Sequence, residues 1–215
     1  MADPELAREL AALTQEVATQ AGAESARWFE SALEQTRGFE RTRFAAAHAA
    51  LARRLRAADA RLVERARGAL LRVALDVLPE TEHVALVREL YRRGDSEERR
   101  AVLRGLALLP GAERFAAIAI DACRSNVQIV FEAIACENPY AGRHFHAEAF
   151  QQLVLKALFT AVPLARIEGL EKHRTPELAR MAADYASELR AAGRAVSLDV
   201  EQLASPARAA RTEPR

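Results

Sequence analysis

The sequence predicts an all-α protein of stacked antiparallel helix pairs, a HEAT-like, α-solenoid-type helical domain. Three observations carry this. Alanine and leucine dominate a chain of 215 residues with only nine glycines and eight prolines, and both residues keep most of their side-chain freedom in a helix. Apolar residues recur at helical spacing. The intervals between them are punctuated by caps and stops, and the connections are short enough to return each helix along its neighbour.

Taken in order, helices are expected near residues 4–20, 24–36, 41–57, 60–78, 82–93, 96–109, 112–124, 126–136, 146–160 and 176–192, with a terminal turn or helix near 198–204. Asp3-Pro4 and Thr175-Pro176 each set an N-cap before a proline at the first helical position. Asp95 with Glu98, and Ser125 with Gln128, have capping-box spacing. Pro79, Gly94, Pro110 and Gly193 are stops. Leu178, Met181, Ala182, Tyr185 and Leu189 form one stripe opposite Glu177, Arg180, Asp184 and Glu188, so that helix packs with one face out. Residues 127–135 and 153–159 are apolar nearly all round, which predicts central helices. Starts at 82 and 112, and at 96 and 126, are offset by about one helix pair, although no self-similar repeat is visible.

The organisation expected is an N-terminal helical layer over 1–58 packed on a core over 59–204, followed by a disordered tail over 205–215 rich in Pro, Ala, Arg, Thr and Glu.

Composition narrows the function. Half the residues are hydrophobic, 28% are charged and the net charge is +1, so no global field selects nucleic acid or a membrane. Cys123 and Cys136 lie in apolar helical stretches and read as free buried thiols. The N-terminus lacks the pattern of a signal peptide, and no apolar run approaches the roughly 20 residues of a bilayer span. The expectation is a cytoplasmic protein. No Gly-rich phosphate loop, nucleophile elbow or His-Glu-x-x-His is present.

Three groups of residues could carry chemistry. Glu132 and Lys156 each stand alone in an apolar helical run. An unpaired buried charge is costly, so they are expected to pair with each other, or Glu132 with Arg124. The segment from Glu137 through Asn138, Pro139 and Tyr140 to Arg143, His144, His146 and Glu148 combines turn formers, an aromatic, histidines and carboxylates. His144 and His146, with Glu148 folding back, are the only metal arrangement the spacing offers, and solvated or capping histidines are the plainer reading. His48, His83 and His173 are isolated. Finally, residues 37–72 hold ten arginines against three acids above Phe44, His48, Leu51, Leu55 and Leu62. That reads as a solvated face, with a helix lying on anionic lipid or a polyanion as the alternative. No catalytic constellation or cofactor is assigned.

Several blocks occur in order: Arg124-Ser125-Asn126, residues 130–135, Asn138-Pro139-Tyr140, residues 154–159, Ile167 with Gly169-Leu170, residues 177–181, Asp184-Tyr185-Ala186 and residues 191–194. Together they resemble the EboA domain family of bacterial Ebo-type gene clusters, densely over 124–194 and faintly back to about 60. Two blocks depart from that pattern. Phe150-Gln151-Gln152 stands where the family tends to carry Trp-Asn-Gln, and His173-Arg174-Thr175-Pro176 where it tends to carry Arg-x-Asn-Pro.

The resemblance implies a role in processing or moving a specialised metabolite towards the cell envelope. It implies partners among proteins of the same cluster, or a small metabolite. The expectation is a non-catalytic binding or scaffold protein with a groove near Arg124, Asn126, Glu132, Asn138, Tyr140 and Lys156. The alternative is an enzyme using Glu132 or Lys156 as acid or base.

Overall fold

Gly22 and the buried face of the helix it interrupts set the first layer. In the computed structural model, which describes residues 4–205, α1 (Pro4–Arg37) is one long helix broken at Gly22, where φ is 87° and ψ is 164°. Glycine reaches that conformation without the penalty a Cβ carries. The break falls in the interval between the two helices expected from sequence. Leu10, Leu13 and Val17 before it, and Phe29 and Leu33 after it, are buried.

The rest of the first compact unit, which extends to Ile134, follows the expected order. It comprises α2 (Arg41–Arg54), α3 (Ala60–Val77), α4 (Glu80–Arg93), α5 (Ser96–Gly105), α6 (Ala116–Cys123) and most of α7 (Gln128–Ala135). The helices expected near 96–109 and 112–124 shorten because 3-10 turns, Leu106–Leu108 and Ala112–Phe115, take up the region around Pro110. Asp59 caps α3 by accepting from the Leu62 amide at 2.8 Å. Asp95 and Glu98 close a reciprocal capping box on α5. Asp3 lies outside the described residues. Ser125 Oγ accepts from the Val127 amide at 3.2 Å.

At the centre of this unit, α3 packs against α1, α2 and α5. It buries Leu62, Ala66, Leu70, Leu71, Val73, Ala74 and Leu75, each large side chain contributing about 1.5–3 kcal/mol by leaving water.

α3 also buries Arg67, whose exposure is 3%. Its Nε donates to the His48 carbonyl at 3.4 Å, and Nη2 lies 3.8 Å from Glu98 Oε1. Glu98 Oε2 in turn accepts from the Asp95 amide at 2.9 Å. His48 is itself buried on α2, and burial, seconded by the Arg67 charge, lowers its pKa to about 3.

The second unit begins at Ala135 and holds α8 (Tyr140–His144), α9 (Ala147–Phe159), α10 (Pro176–Ala191) and α11 (Leu198–Ala204). α9 buries Phe150, Leu153, Val154, Leu155, Ala157 and Leu158 and packs on two 3-10 turns, Leu164–Arg166 and Leu170–His173. α10 packs on α11 and buries a stripe of Leu178, Ala182, Ala186 and Leu189, while Met181 and Tyr185 are half-buried. The expected all-round burial of the two apolar helices is therefore incomplete: Val127, just ahead of α7, and Phe159, at the end of α9, stay exposed, and Phe159 lays an edge against Tyr185 with centroids 4.7 Å apart. Thr175 caps α10 with Pro176 at its start. Arg194 N–H bonds the Leu189 carbonyl at 2.8 Å past Gly193, the C-terminal closure expected there. The tail expected to be disordered lies, beyond Ser205, outside the described residues.

Two predictions follow from the buried polar cluster. Arg67→Ala strands the Glu98 carboxylate and should lower the unfolding free energy by roughly 3 kcal/mol in urea denaturation; a loss below about 1 kcal/mol, the size of a surface pair, would place the cluster outside the stabilising core. His48 is protonated in the unfolded chain near pH 6.5 but in the folded protein only near 3. The unfolded state therefore binds more protons between those values, and stability falls as pH falls. Replacing His48 with Gln should remove about 2 kcal/mol of the stability otherwise lost between pH 7 and pH 5.

Candidate functional site

The polar segment singled out from sequence belongs to the second unit, and most of it is used to shape the chain. Asn138 is buried and its Oδ1 accepts from the Tyr140 amide at 3.0 Å, a side-chain-closed turn of the kind asparagine makes two residues ahead. It delivers the chain into α8, where a loop was expected. Tyr140 is fully buried, its ring 4.7 Å from His144 and edge-on to Phe145 at 6.3 Å.

Glu137, at φ 44°, donates its amide to the Arg166 carbonyl at 2.7 Å. Its carboxylate takes Arg166 Nε and Nη2 at 2.6 and 3.1 Å, a bidentate fork. That ion pair was not anticipated; both residues stood in view, but nothing in their spacing joins them.

The histidines are likewise in use. His146 Nδ1 accepts from the Ala149 amide at 3.3 Å and caps α9. Among the described residues no group of three or more His, Cys, Asp and Glu is arranged to hold a metal, so the low-ranked arrangement of His144, His146 and Glu148 is not assembled. His83 Nε2 meets the Leu78 carbonyl at 3.1 Å. His173 Nε2 meets the Gly142 carbonyl at 2.9 Å.

His173 also stacks on Phe150, with centroids 4.3 Å apart, and Gln151 Nε2 donates to Thr175 Oγ1 at 3.0 Å. The two blocks that depart from the family pattern are thus in contact with each other. Phe150 of the first block stacks on His173 of the second, and Gln151 of the first bonds Thr175 of the second. Beneath them the backbones cross at Gly142 and Gly169, where a Cβ on Gly142 would come within 2.8 Å of the Glu168 carbonyl oxygen.

Of the six residues expected to line a groove, Arg124, Asn126 and Glu132 belong to the first unit, and Asn138, Tyr140 and Lys156 to the second. Asn138 and Tyr140 are closed off from solvent, while Arg124 and Asn126 are exposed. Glu132 is half-buried and accepts from Gln128 Nε2 at 2.8 Å. Lys156 is also half-buried. Both charges keep part of their surface in water, so neither bears the full desolvation cost expected of it.

An open groove of about 720 Å³ lies instead in the first unit, between α1, α3 and α5. Leu6, Leu10 and Leu13 of α1 form one wall. Gly68 of α3 and Gly105 of α5 meet on its floor; a Cβ on Gly105 would lie 4.0 Å from Gly68 Cα, and one on Gly68 would meet nothing within 4 Å. The rim carries Arg65, paired with Glu16 at 2.5 Å, Arg72, paired with Asp76 at 3.1 Å, and Glu64, paired with Arg100. Paired arginines and carboxylates supply binding polarity; a guanidinium cannot take up a proton as a base. Sequence reading missed this groove because its residues are ordinary on each helix alone.

The fold and these clefts define an all-helical protein in which, among the described residues, no helix is long and apolar enough to cross a membrane. The family model described as "Metabolite traffic protein EboA" matches residues 59–205, and the chain belongs to that family. No curated protein and no solved structure matches it. α1 and α2 precede the matched region.

The crossing at Gly142 yields a stability test. Gly142→Ala should cost about 2 kcal/mol through overpacking, a fall of about 4–8 °C in Tm for a chain of this size. Gly38→Ala, whose added Cβ has its nearest neighbour at 3.8 Å, should leave the calorimetric Tm within about 2 °C of wild type.

Proposed function

We propose that this protein is a non-catalytic helical binding or scaffold protein that holds a specialised metabolite while it is processed or moved towards the cell envelope. The observation that carries this reading is the groove between α1, α3 and α5. It combines an apolar wall, a floor opened by two facing glycines and a rim of arginines and carboxylates. Its volume falls within the range of about 300–1,000 Å³ usual for small-molecule sites, and its polarity suits an amphiphile with one charged end. The family description supports metabolite traffic.

α1 and α2 are read as a layer added to the family-matched core, and α1 supplies one wall of the groove. Stacked helix pairs of the HEAT-like kind present such extended grooves, which favours that architecture here. Arg124 and Asn126, exposed polar positions inside the matched region, are read as contacts for a partner protein of the same gene cluster. Glu132 and Lys156 are read as supporting groups at the edge of the core.

Gly68→Leu tests the groove directly. Leucine would project into its open floor, and on a helix it is favoured over glycine by about 0.5–1 kcal/mol, so the urea midpoint should hold or rise. Binding of 8-anilino-1-naphthalenesulfonate, an amphiphilic anion, should weaken at least fivefold in fluorescence titration. Small molecules that co-purify from the native host should be depleted in mass spectra. Unchanged dye binding together with an unchanged co-purified set would sink the groove reading.

A further inference from the structure

A second cleft, independent of that groove, opens where α1 breaks. It has a volume of about 800 Å³ and is lined by the chain around Gly22, by Trp28 and by the end of α2 with the segment after it. Three arginines within four residues, Arg53, Arg54 and Arg56, stand on this lining against a single carboxylate, Glu24. Glu24 falls in the first turn of the helix that restarts after Gly22, where an acid complements the helix dipole. Among the described residues, no carboxylate forms an ion pair with any of the three arginines. The Arg54 guanidinium lies 5.6 Å from the centre of the Trp28 ring, close enough for a cation–π contact. Such a contact restrains the guanidinium while leaving its in-plane N–H groups free to donate.

The cleft is also anchored on both sides. Ser25 Oγ shares its one proton between the Ala21 carbonyl at 2.9 Å and the Arg54 carbonyl at 3.0 Å. Gln20 Oε1 accepts from the Asp59 amide at 3.0 Å. These bonds tie both ends of the arginine-bearing segment to α1 on either side of the break. The break, the indole and the Arg54 guanidinium are therefore held in one place before any ligand arrives, with Arg53 and Arg56 carried on the same anchored backbone, which lowers the ordering cost of binding.

We propose that this cleft is a binding site for a phosphate ester, whose dianionic group is gripped by Arg53, Arg54 and Arg56 and whose adjoining apolar or aromatic body lies beside Trp28. Forked guanidinium donors match phosphate oxygens, and three unneutralised cations suit a doubly charged group better than a single carboxylate. The phosphate comes either from a soluble organic phosphate monoester or from a phosphomonoester lipid headgroup, that of phosphatidic acid.

Trp28 is the protein's only tryptophan, so intrinsic fluorescence reads this cleft alone. The full chain is titrated, in phosphate-free buffer, with phenyl phosphate, with benzyl alcohol as the neutral counterpart, and with phosphatidylcholine vesicles with or without phosphatidic acid. Calorimetry on the same samples removes any dependence on the indole's baseline. Saturable binding of phenyl phosphate but not benzyl alcohol, weakened at least tenfold in R53A/R54A/R56A and by added salt, supports a soluble phosphate ester. A response to vesicles containing phosphatidic acid alone, lost in the same variant, supports the lipid headgroup. Arg27→Ala, an exposed arginine of α1 off this lining, should bind as wild type does. Equal affinity in the triple variant, confirmed folded by circular dichroism, or no saturable response from either phosphate source, overturns the proposal.

Discussion

The first unit depends on one constraint: α3 carries a guanidinium into the interior, and the surrounding helices must satisfy it. Left unpaired, Arg67 would cost several kcal/mol. Its needs are met by a carbonyl of α2 and by Glu98, which begins α5 and is itself fixed by the capping box with Asp95. The same burial keeps His48 neutral. An apolar stripe tolerates a small slide along its partner, because dispersion contacts are non-directional. A guanidinium that must meet one carbonyl and one carboxylate tolerates much less, so this cluster fixes how α2, α3 and α5 register. The next residue of α3, Gly68, then meets Gly105 of α5 on the floor of the groove. Polar anchor and groove floor are consecutive positions of one helix.

Much of this was legible in sequence because helix formation here is local. Caps at Asp95 and Thr175, and the closure after Gly193, mark helix ends through bonds between residues three to five apart. The break at Gly22 shows as a gap in the apolar pattern. Burial of Phe44, His48, Leu51, Leu55 and Leu62 beneath the arginine-rich stretch follows from their helical spacing. α8 was not legible: it has five residues, no side-chain cap bond, and a start hidden inside an Asn-Pro turn. Arg67 was missed through the assumption that arginines face water, although it lies one and two turns before Leu71 and Leu75, both buried. The pattern held the signal; residue type masked it.

The polar segment around Asn138 shows the limit of residue type as a guide to function. Its turn formers, histidines and carboxylates drew notice as potential chemistry, yet the structure uses them as a closed turn, a helix cap and a bidentate ion pair. The pairings that explain it join Glu137 to Arg166, Phe150 to His173 and Gln151 to Thr175. These partners are separated by 3-10 turns and irregular chain that break any helical periodicity, so no spacing rule brings them together. Seen in space, two departures from the family pattern become one substitution of a contacting set. An aromatic stack and a side-chain amide-to-hydroxyl bond join the two blocks.

The position of the two clefts relative to the family-matched region separates what is shared from what is particular. α3 and α5, which carry the glycine floor, lie within residues 59–205, whereas the leucine wall comes from α1, before that region. The cleft at the helix break is lined entirely by residues 21–57 and so owes nothing to the matched region. The match covers the glycine floor, the rest of the first unit from α3 onward and the second unit. In this chain the wall facing that floor is α1, a helix broken at one glycine and bonded through two side chains to the last residue of α2 and to Asp59. Under the proposed function, the wall that faces the glycine floor therefore lies outside the matched region, and it can change without disturbing the Arg67 cluster that holds α2, α3 and α5 in register.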